Sequence, residues 1–156
     1  MDWLLDLISN RFLITGVTSW FVAQVLKTII HAIINKKLVL ERMVGDGGMP
    51  SGHSATVTSL AVISARTYGF DSFQFAVTSL LAIIVCHDAM GVRLVTGKQS
   101  IVLNELVKAF EALTTEDLPE VKLKEFVGHT PIQVLAGILL GILNGLAMHY
   151  WVFPMF

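Results

Sequence analysis

Charge is scarce in this chain. Only 15% of its 156 residues are Asp, Glu, Lys or Arg, and the formal net charge is -1. Without a basic surplus there is nothing to neutralise a phosphate backbone, which excludes nucleic acid as a partner. A lone cysteine, Cys86, excludes an internal disulfide. There is no second cysteine and no His-x-x-x-His pair. A metal enzyme drawing on His53, His87, Asp88 and His129 therefore ranks last among the functional readings. The opening Met1-Asp2-Trp3 lacks the positive flank of a signal peptide, so the first segment is expected to remain in the mature protein. Neither an internal repeat nor a low-complexity segment is present. What fills the chain instead is apolar: 54% hydrophobic residues and a mean hydropathy of +0.69. The few charges gather between apolar runs. That pattern predicts one domain, residues 1–156, folded as an all-α integral membrane helical bundle.

Met1 to Asn10 is a short amphipathic piece suited to anchoring in the interface. Phe12 to Asn35 is long enough to span, since ~20 residues cross a hydrocarbon core of about 30 Å. Gln24, Lys27, His31 and Asn35 recur on it at three- and four-residue steps and form one polar stripe. Lys27 lies about 12 Å from the end of the span, so it points into the protein or a wet cavity, with a snorkelling lysine as the alternative. Lys36 to Pro50 is a polar connection. Ser54 to Tyr68, rich in Ala, Ser and Thr, is a short helix expected inside the bundle. Ser72 to Gly91 is a third apolar span. Val92 to Leu113 is amphipathic, with Val102, Leu103, Leu106, Val107, Phe110 and Leu113 on one side, and is expected to lie in the interface. Thr114 to Val127 is a charged loop with Pro119 and room for a short helix. Pro131 to Trp151 is the last span, ending in a Tyr150-Trp151 aromatic belt. The total is about four membrane helices plus one interfacial helix. Gly137, Gly141 and Gly145 form a flat ridge on the last span, fit for close helix contact or for self-association into a homo-oligomer.

Two stretches carry chemistry. Gly47-Gly48-Met49-Pro50-Ser51-Gly52-His53-Ser54-Ala55 is a Gly-rich turn feeding a helix start, where free N–H groups and the helix dipole suit an oxyanion. A plain turn with Ser51 or Ser54 as helix cap reads equally well there. Gly128-His129-Thr130-Pro131-Ile132-Gln133-Val134-Leu135-Ala136-Gly137 places a second His before a helix start, with Pro131 at the first helical position. Following four crossings, both loops fall on one face, so His53, Asp88, Arg93 and His129 share a depth that Lys27 can reach.

Together these stretches resemble the second and third motifs of the type 2 phosphatidic acid phosphatase superfamily. The similarity is closest to its small divergent branch, related to acid phosphatases and vanadium haloperoxidases. That branch adds an element standing here as Asp88-Ala89-Met90-Gly91-Val92-Arg93, then Gly97-Lys98-Gln99 and Leu103-Asn104. The resemblance runs roughly from Gln24 to Gly141. It implies a phosphatase that needs no cofactor, with His129 as nucleophile, His53 as general acid, and Lys27, Arg93, Ser51 and the Gly52 backbone binding phosphate. The chain departs from the superfamily pattern at three places. Ile34-Asn35 stand where Arg-Pro is usual, Leu123 where an Arg precedes the nucleophile, and Gln133 where an Asp follows it. On that basis the orienting carboxylate is assigned to Asp88 and the missing guanidinium to Arg93. A buried Asp88–Arg93 ion pair is the competing assignment. Gln133 also completes an ordinary capping box with Thr130.

The expected function is membrane lipid phosphate hydrolysis through a phosphohistidine. The alternative is a binding or transport protein for lipid phosphate or another anion on the same fold. Short-loop charge sets the orientation: Lys36, Lys37 and Arg42 follow the first span, and Arg93, Lys98, Lys108, Lys122 and Lys124 separate the third from the fourth. The site is therefore expected to face the cytoplasm of a bacterial cytoplasmic membrane. Phosphatidylglycerophosphate, made on that leaflet, then leads phosphatidic acid and polyprenyl diphosphate as substrate.

Overall fold

Large apolar side chains point outward in this protein and small polar ones inward, the reverse of a soluble core. Leu80, Ile83, Ile84, Leu139 and Leu143 are exposed, whereas Thr15, Ser19, Ser54, Ser59 and Ser64 are buried. The computed structural model describes residues 2–39, 43, 45, 47–113, 123 and 127–154. Among these the elements are α1 (Asp2–Ile8), α2 (Arg11–Asn35), α3 (Gly52–Tyr68), α4 (Phe73–Met90), α5 (Val92–Leu113) and α6 (Pro131–Ala147). A π-helical turn at Met148–Val152 extends α6, and no strand occurs among the described residues. The molecule is an all-α membrane helical bundle. Arg11–Asn35, Phe73–Leu113 and Pro131–Val152 are long and apolar enough to cross a bilayer.

The fourth expected membrane helix, α3, is of a different kind. At 17 residues and rich in Ser, Ala and Thr, it is enclosed by α2, α4 and α6 and packs most extensively on α6. Its small side chains let the neighbouring backbones approach, which is how helices associate where lipid removes the hydrophobic drive. Ser19 Oγ on α2 donates to the Ala55 carbonyl at 3.0 Å, and Asn144 Nδ2 on α6 donates to the Thr15 carbonyl at 3.2 Å. Such interhelical bonds contribute about 0.6 kcal/mol each on average.

The glycine ridge of α6 belongs to this internal packing. A Cβ at Gly137 would meet the Ser51 carbonyl at 2.5 Å, and one at Gly141 the Ala55 carbonyl at 2.5 Å. At Gly145 it would meet Val62 at 2.9 Å. Of the two uses expected for Gly137, Gly141 and Gly145, close helix contact is the one this chain shows: its own α3 packs on the ridge.

Helix starts follow the sequence signals. Asn10, Ser51 and Ser72 accept backbone N–H bonds from the first turns of α2, α3 and α4, and Pro131 opens α6. The Gly91 cap separates α4 from α5. On α5 the residues turned toward the protein are Gly97, Ser100 and Asn104, while Val102, Leu103, Leu106, Phe110 and Leu113 are exposed. An apolar face turned away from its own protein is what an interfacial helix presents to lipid. Asn104 pins the backbone of Leu123 by two bonds, Nδ2 to the carbonyl at 3.0 Å and the Leu123 N–H to Oδ1 at 3.1 Å. The short helix expected near Pro119, and the residues Glu41, Arg42, Asp46, Lys122 and Lys124, lie outside the described residues.

Candidate functional site

The starts of α3 and α6 and the end of α4 are tied together by backbone bonds. The Ser51 N–H donates to the Gln133 carbonyl at 3.0 Å, and the His129 N–H donates to the Ala89 carbonyl at 3.0 Å. Gly128 sits at φ +84° with its Cα against the Leu94 backbone nitrogen, a place and a conformation that a side chain cannot share. His53, second residue of α3, and His129, two residues before α6, are thereby brought face to edge. Their ring centroids are 6.2 Å apart and the planes meet at 61°.

Both rings line a cavity of about 200 Å³ with Trp20, Gln24, Lys27, Gly45 and Gly52. Lys27 is buried and its Nζ donates to the Gly45 carbonyl at 3.0 Å. Its location in a cavity bears out the inward-pointing alternative over snorkelling. Gly48, at φ +89°, lies against the Lys27 methylenes, so the Gly-rich loop folds over the lysine stem. Gln24 is 5% exposed, and its Oε1 is buried with no hydrogen-bond partner among the described residues.

Of the residues expected to form the site, Lys27, Gly52, His53 and His129 share this cavity. Ser51 does not line it. Its fully buried hydroxyl accepts from the Ser54 N–H at 3.3 Å and from Ser54 Oγ at 3.0 Å, so it acts as the α3 cap. Asp88 and Arg93 do not line it either; Arg93 Nε donates to Asp88 Oδ2 at 2.6 Å with both side chains partly exposed. The ion-pair alternative is the one realised, although the pair is at the surface rather than buried. The side chain found against His129 Nδ1 is Gln133, not Asp88, which differs from the expected assignment of Asp88 as the orienting group.

Gln133, the third residue of α6, meets the His129 ring. Its Oε1 accepts the Thr130 N–H at 3.1 Å and lies 3.3 Å from His129 Nδ1. A backbone N–H can only donate, so the shared atom is the amide oxygen, which can only accept. Toward this oxygen the Nδ1 position acts as the donor, in the tautomer that carries its proton there. The capping box expected at Thr130–Gln133 is present, and the same oxygen serves the histidine. The signal available in the sequence was the spacing: Gln133 is four residues after His129, one turn away.

His129, 3% exposed, has its pKa lowered from the ordinary 6.5. Desolvation by burial is the main cause; the positive charges of Lys27 and His53 add to it, and bonds to Gln133 and the Gly48 backbone oppose it. At neutral pH the buried ring is thus neutral. A buried imidazole, a second imidazole opposite it, an ammonium and the N-terminus of α3 are groups suited to a tetrahedral oxyanion. Among the described residues no three His, Cys, Asp or Glu side chains cluster as metal ligands.

Comparisons with known proteins agree with the motifs. Residues 8–144 match a family described as "Divergent PAP2 family". The chain is 40% identical over 156 residues to YuiD of Bacillus subtilis (strain 168), described as an uncharacterized membrane protein. That alignment covers 94% of this chain and 99% of YuiD. No solved structure matches. With the family match spanning most of the bundle and both histidine loops, this integral membrane protein belongs to the Divergent PAP2 family.

Proposed function

We propose that this protein is a metal-independent phosphatase of lipid phosphate monoesters, with His129 as nucleophile and His53 as general acid. One observation carries this reading: two imidazoles 6.2 Å apart on a cavity that also holds a buried lysine. In-line displacement at phosphorus needs a nucleophile on one side and a proton donor for the leaving oxygen on the other, and these two rings are the pair of such groups that shares the cavity. His129 Nε2 attacks phosphorus and the ester P–O bond breaks. The His53 imidazolium passes its proton to the departing alkoxide. In the second half His53 takes a proton from water, the water oxygen bonds to phosphorus, and the P–N bond breaks to free phosphate and neutral His129. Lys27 and the Gly52 N–H at the α3 start stabilise the equatorial oxygens through both halves.

Loop charge supports a site on the cytoplasmic side, which makes phosphatidylglycerophosphate the leading substrate. The second reading is a carrier or binding protein for lipid phosphate or another anion. It is favoured by the Asp88–Arg93 pair, which keeps a guanidinium away from the cavity. Purified protein in excess chelator, given phosphatidylglycerophosphate, phosphatidic acid and a polyprenyl diphosphate, separates the two. Phosphate release with preference for the first lipid is expected; tight binding without release would instead establish the carrier.

A further inference from the structure

Trp20 stands in an unusual place for tryptophan. Indoles in membrane proteins collect at the two interfaces, where the ring is apolar and the N–H stays wet. Trp20 is fifteen residues before the end of α2, about 22 Å along the helix and roughly 10 Å deeper than Lys27. It is nonetheless 41% exposed, on a helix apolar and long enough to span, and it also lines the cavity that holds His53 and His129. A Cβ at Gly52 would lie 3.4 Å from Trp20 Cδ1 and 3.8 Å from Nε1. The pyrrole edge, with the N–H, is therefore the part nearest the start of α3. One side chain thus joins the cavity to the lipid-facing surface at the edge between α2 and α3.

The size of the cavity matters here. Pockets that enclose a drug-sized ligand measure about 300–1,000 Å³. At about 200 Å³ this one takes a phosphoryl group and little more, so the remainder of a larger ester must leave through its wall. Two routes fit that need: toward water, as a soluble ester would require, or sideways at Trp20. The 25 residues of α2 measure about 37 Å against a ~30 Å hydrocarbon core; centred on it, the Lys27 level lies roughly 8 Å inside the core boundary and Trp20 deeper still, at acyl depth.

We propose that Trp20 is the wall of a substrate subsite that opens to the bilayer between α2 and α3. Its indole packs on an acyl chain of a lipid phosphate whose phosphate enters the His53–His129 cavity. The ligand class is a glycerolipid phosphate held in the membrane, not a soluble phosphate ester. This rests on the phosphatase reading for its catalytic consequence but not for its binding consequence.

Two measurements test it. In a Trp3→Phe, Trp151→Phe background Trp20 is the remaining tryptophan. Its fluorescence is read in vesicles carrying either phosphatidic acid or phosphatidylcholine brominated along the acyl chain, at equal mole fraction. Stronger quenching by the brominated phosphatidic acid, relieved by unbrominated phosphatidic acid, is expected. Equal quenching by both lipids would overturn the subsite, leaving Trp20 a plain lipid-facing ring. In kinetics, Trp20→Ala should lower kcat/KM for dioleoyl phosphatidic acid about tenfold relative to nitrophenyl phosphate, with Trp20→Phe in between; an unchanged ratio counts against the proposal. Preferential quenching with no phosphate release would sink the phosphatase reading and leave the lipid subsite standing. Phosphate release with equal quenching would sink the subsite alone.

Discussion

Burial lowers the pKa of His129 and Gln133 lies against its Nδ1, and both have measurable consequences. Its lowered pKa means the folded protein disfavours the imidazolium relative to the unfolded chain. Between the lowered value and 6.5 the unfolded chain holds more protons, so stability rises with pH through that window and falls as the pH drops through it. The acid limb of kcat/KM attributable to His129 should accordingly lie below pH 6.5. Gln133→Glu puts a carboxylate against Nδ1 and should move that limb to higher pH; a profile unchanged by this substitution would remove Gln133 from the site. The cations separate in the same way. Lys27 lines the cavity, whereas Arg93 is half exposed in an ion pair of a kind that contributes about 0–1 kcal/mol. Lys27→Met should reduce kcat/KM by roughly 100-fold or more, and Arg93→Ala by less than about tenfold, measured side by side on one lipid phosphate. Reversal of that order would return Arg93 to the phosphate. The sequence made His53, His129 and Lys27 legible through motif and stripe. It could not show which acidic or amide group meets Nδ1, because topology allows Asp88 and helix spacing allows Gln133, and only the bond geometry separates them.

At the scale of the helix, the same residue types do different work according to what faces them. Gly137, Gly141 and Gly145 read as a contact ridge from their spacing alone, and the ridge is real; its partner, α3, could not be read from spacing. The polarity of α3 has the same origin. A helix surrounded by other helices in lipid gains from small residues and hydroxyls, so it falls below the hydropathy that marks a span while sitting at the centre of the bundle. Overpacking the ridge should therefore unfold the protein from within. Gly141→Leu drives a side chain into the Ala55 carbonyl and Thr58 and should cost at least about 1–3 kcal/mol, seen as a lower Tm in detergent. An oligomer-state change with an unaltered Tm would mean the ridge faces another chain. The boundaries of α2, α5 and α6 followed from caps, period and Pro131, because each has one face in lipid and one in protein.

For the whole molecule, topology is what turns four scattered motifs into one site. The crossings place the Gly47–His53 and Gly128–His129 loops at one end of the bundle, and Ser51 to Gln133 and His129 to Ala89 backbone bonds lock them together. That convergence was legible by counting spans. The 6.2 Å spacing of the rings was not, since it depends on how closely α3 and α6 meet along the glycines. The loop lysines and arginines predict the orientation proposed above: in a Cys86→Ser background, Phe153→Cys should react with an impermeant maleimide on intact cells and Lys37→Cys should not. The opposite labelling would put the site outside and remove the preference for phosphatidylglycerophosphate. The central claim is that His129 is phosphorylated and His53 is needed to release the phosphate. His53→Ala protein should be given radiolabelled nitrophenyl phosphate, whose leaving group needs no proton, in excess chelator, then denatured in alkali and mapped. The account predicts an alkali-stable, acid-labile label on His129 that accumulates in His53→Ala and is absent from His129→Ala; hydrolysis that proceeds equally in His129→Ala with no label formed would contradict it.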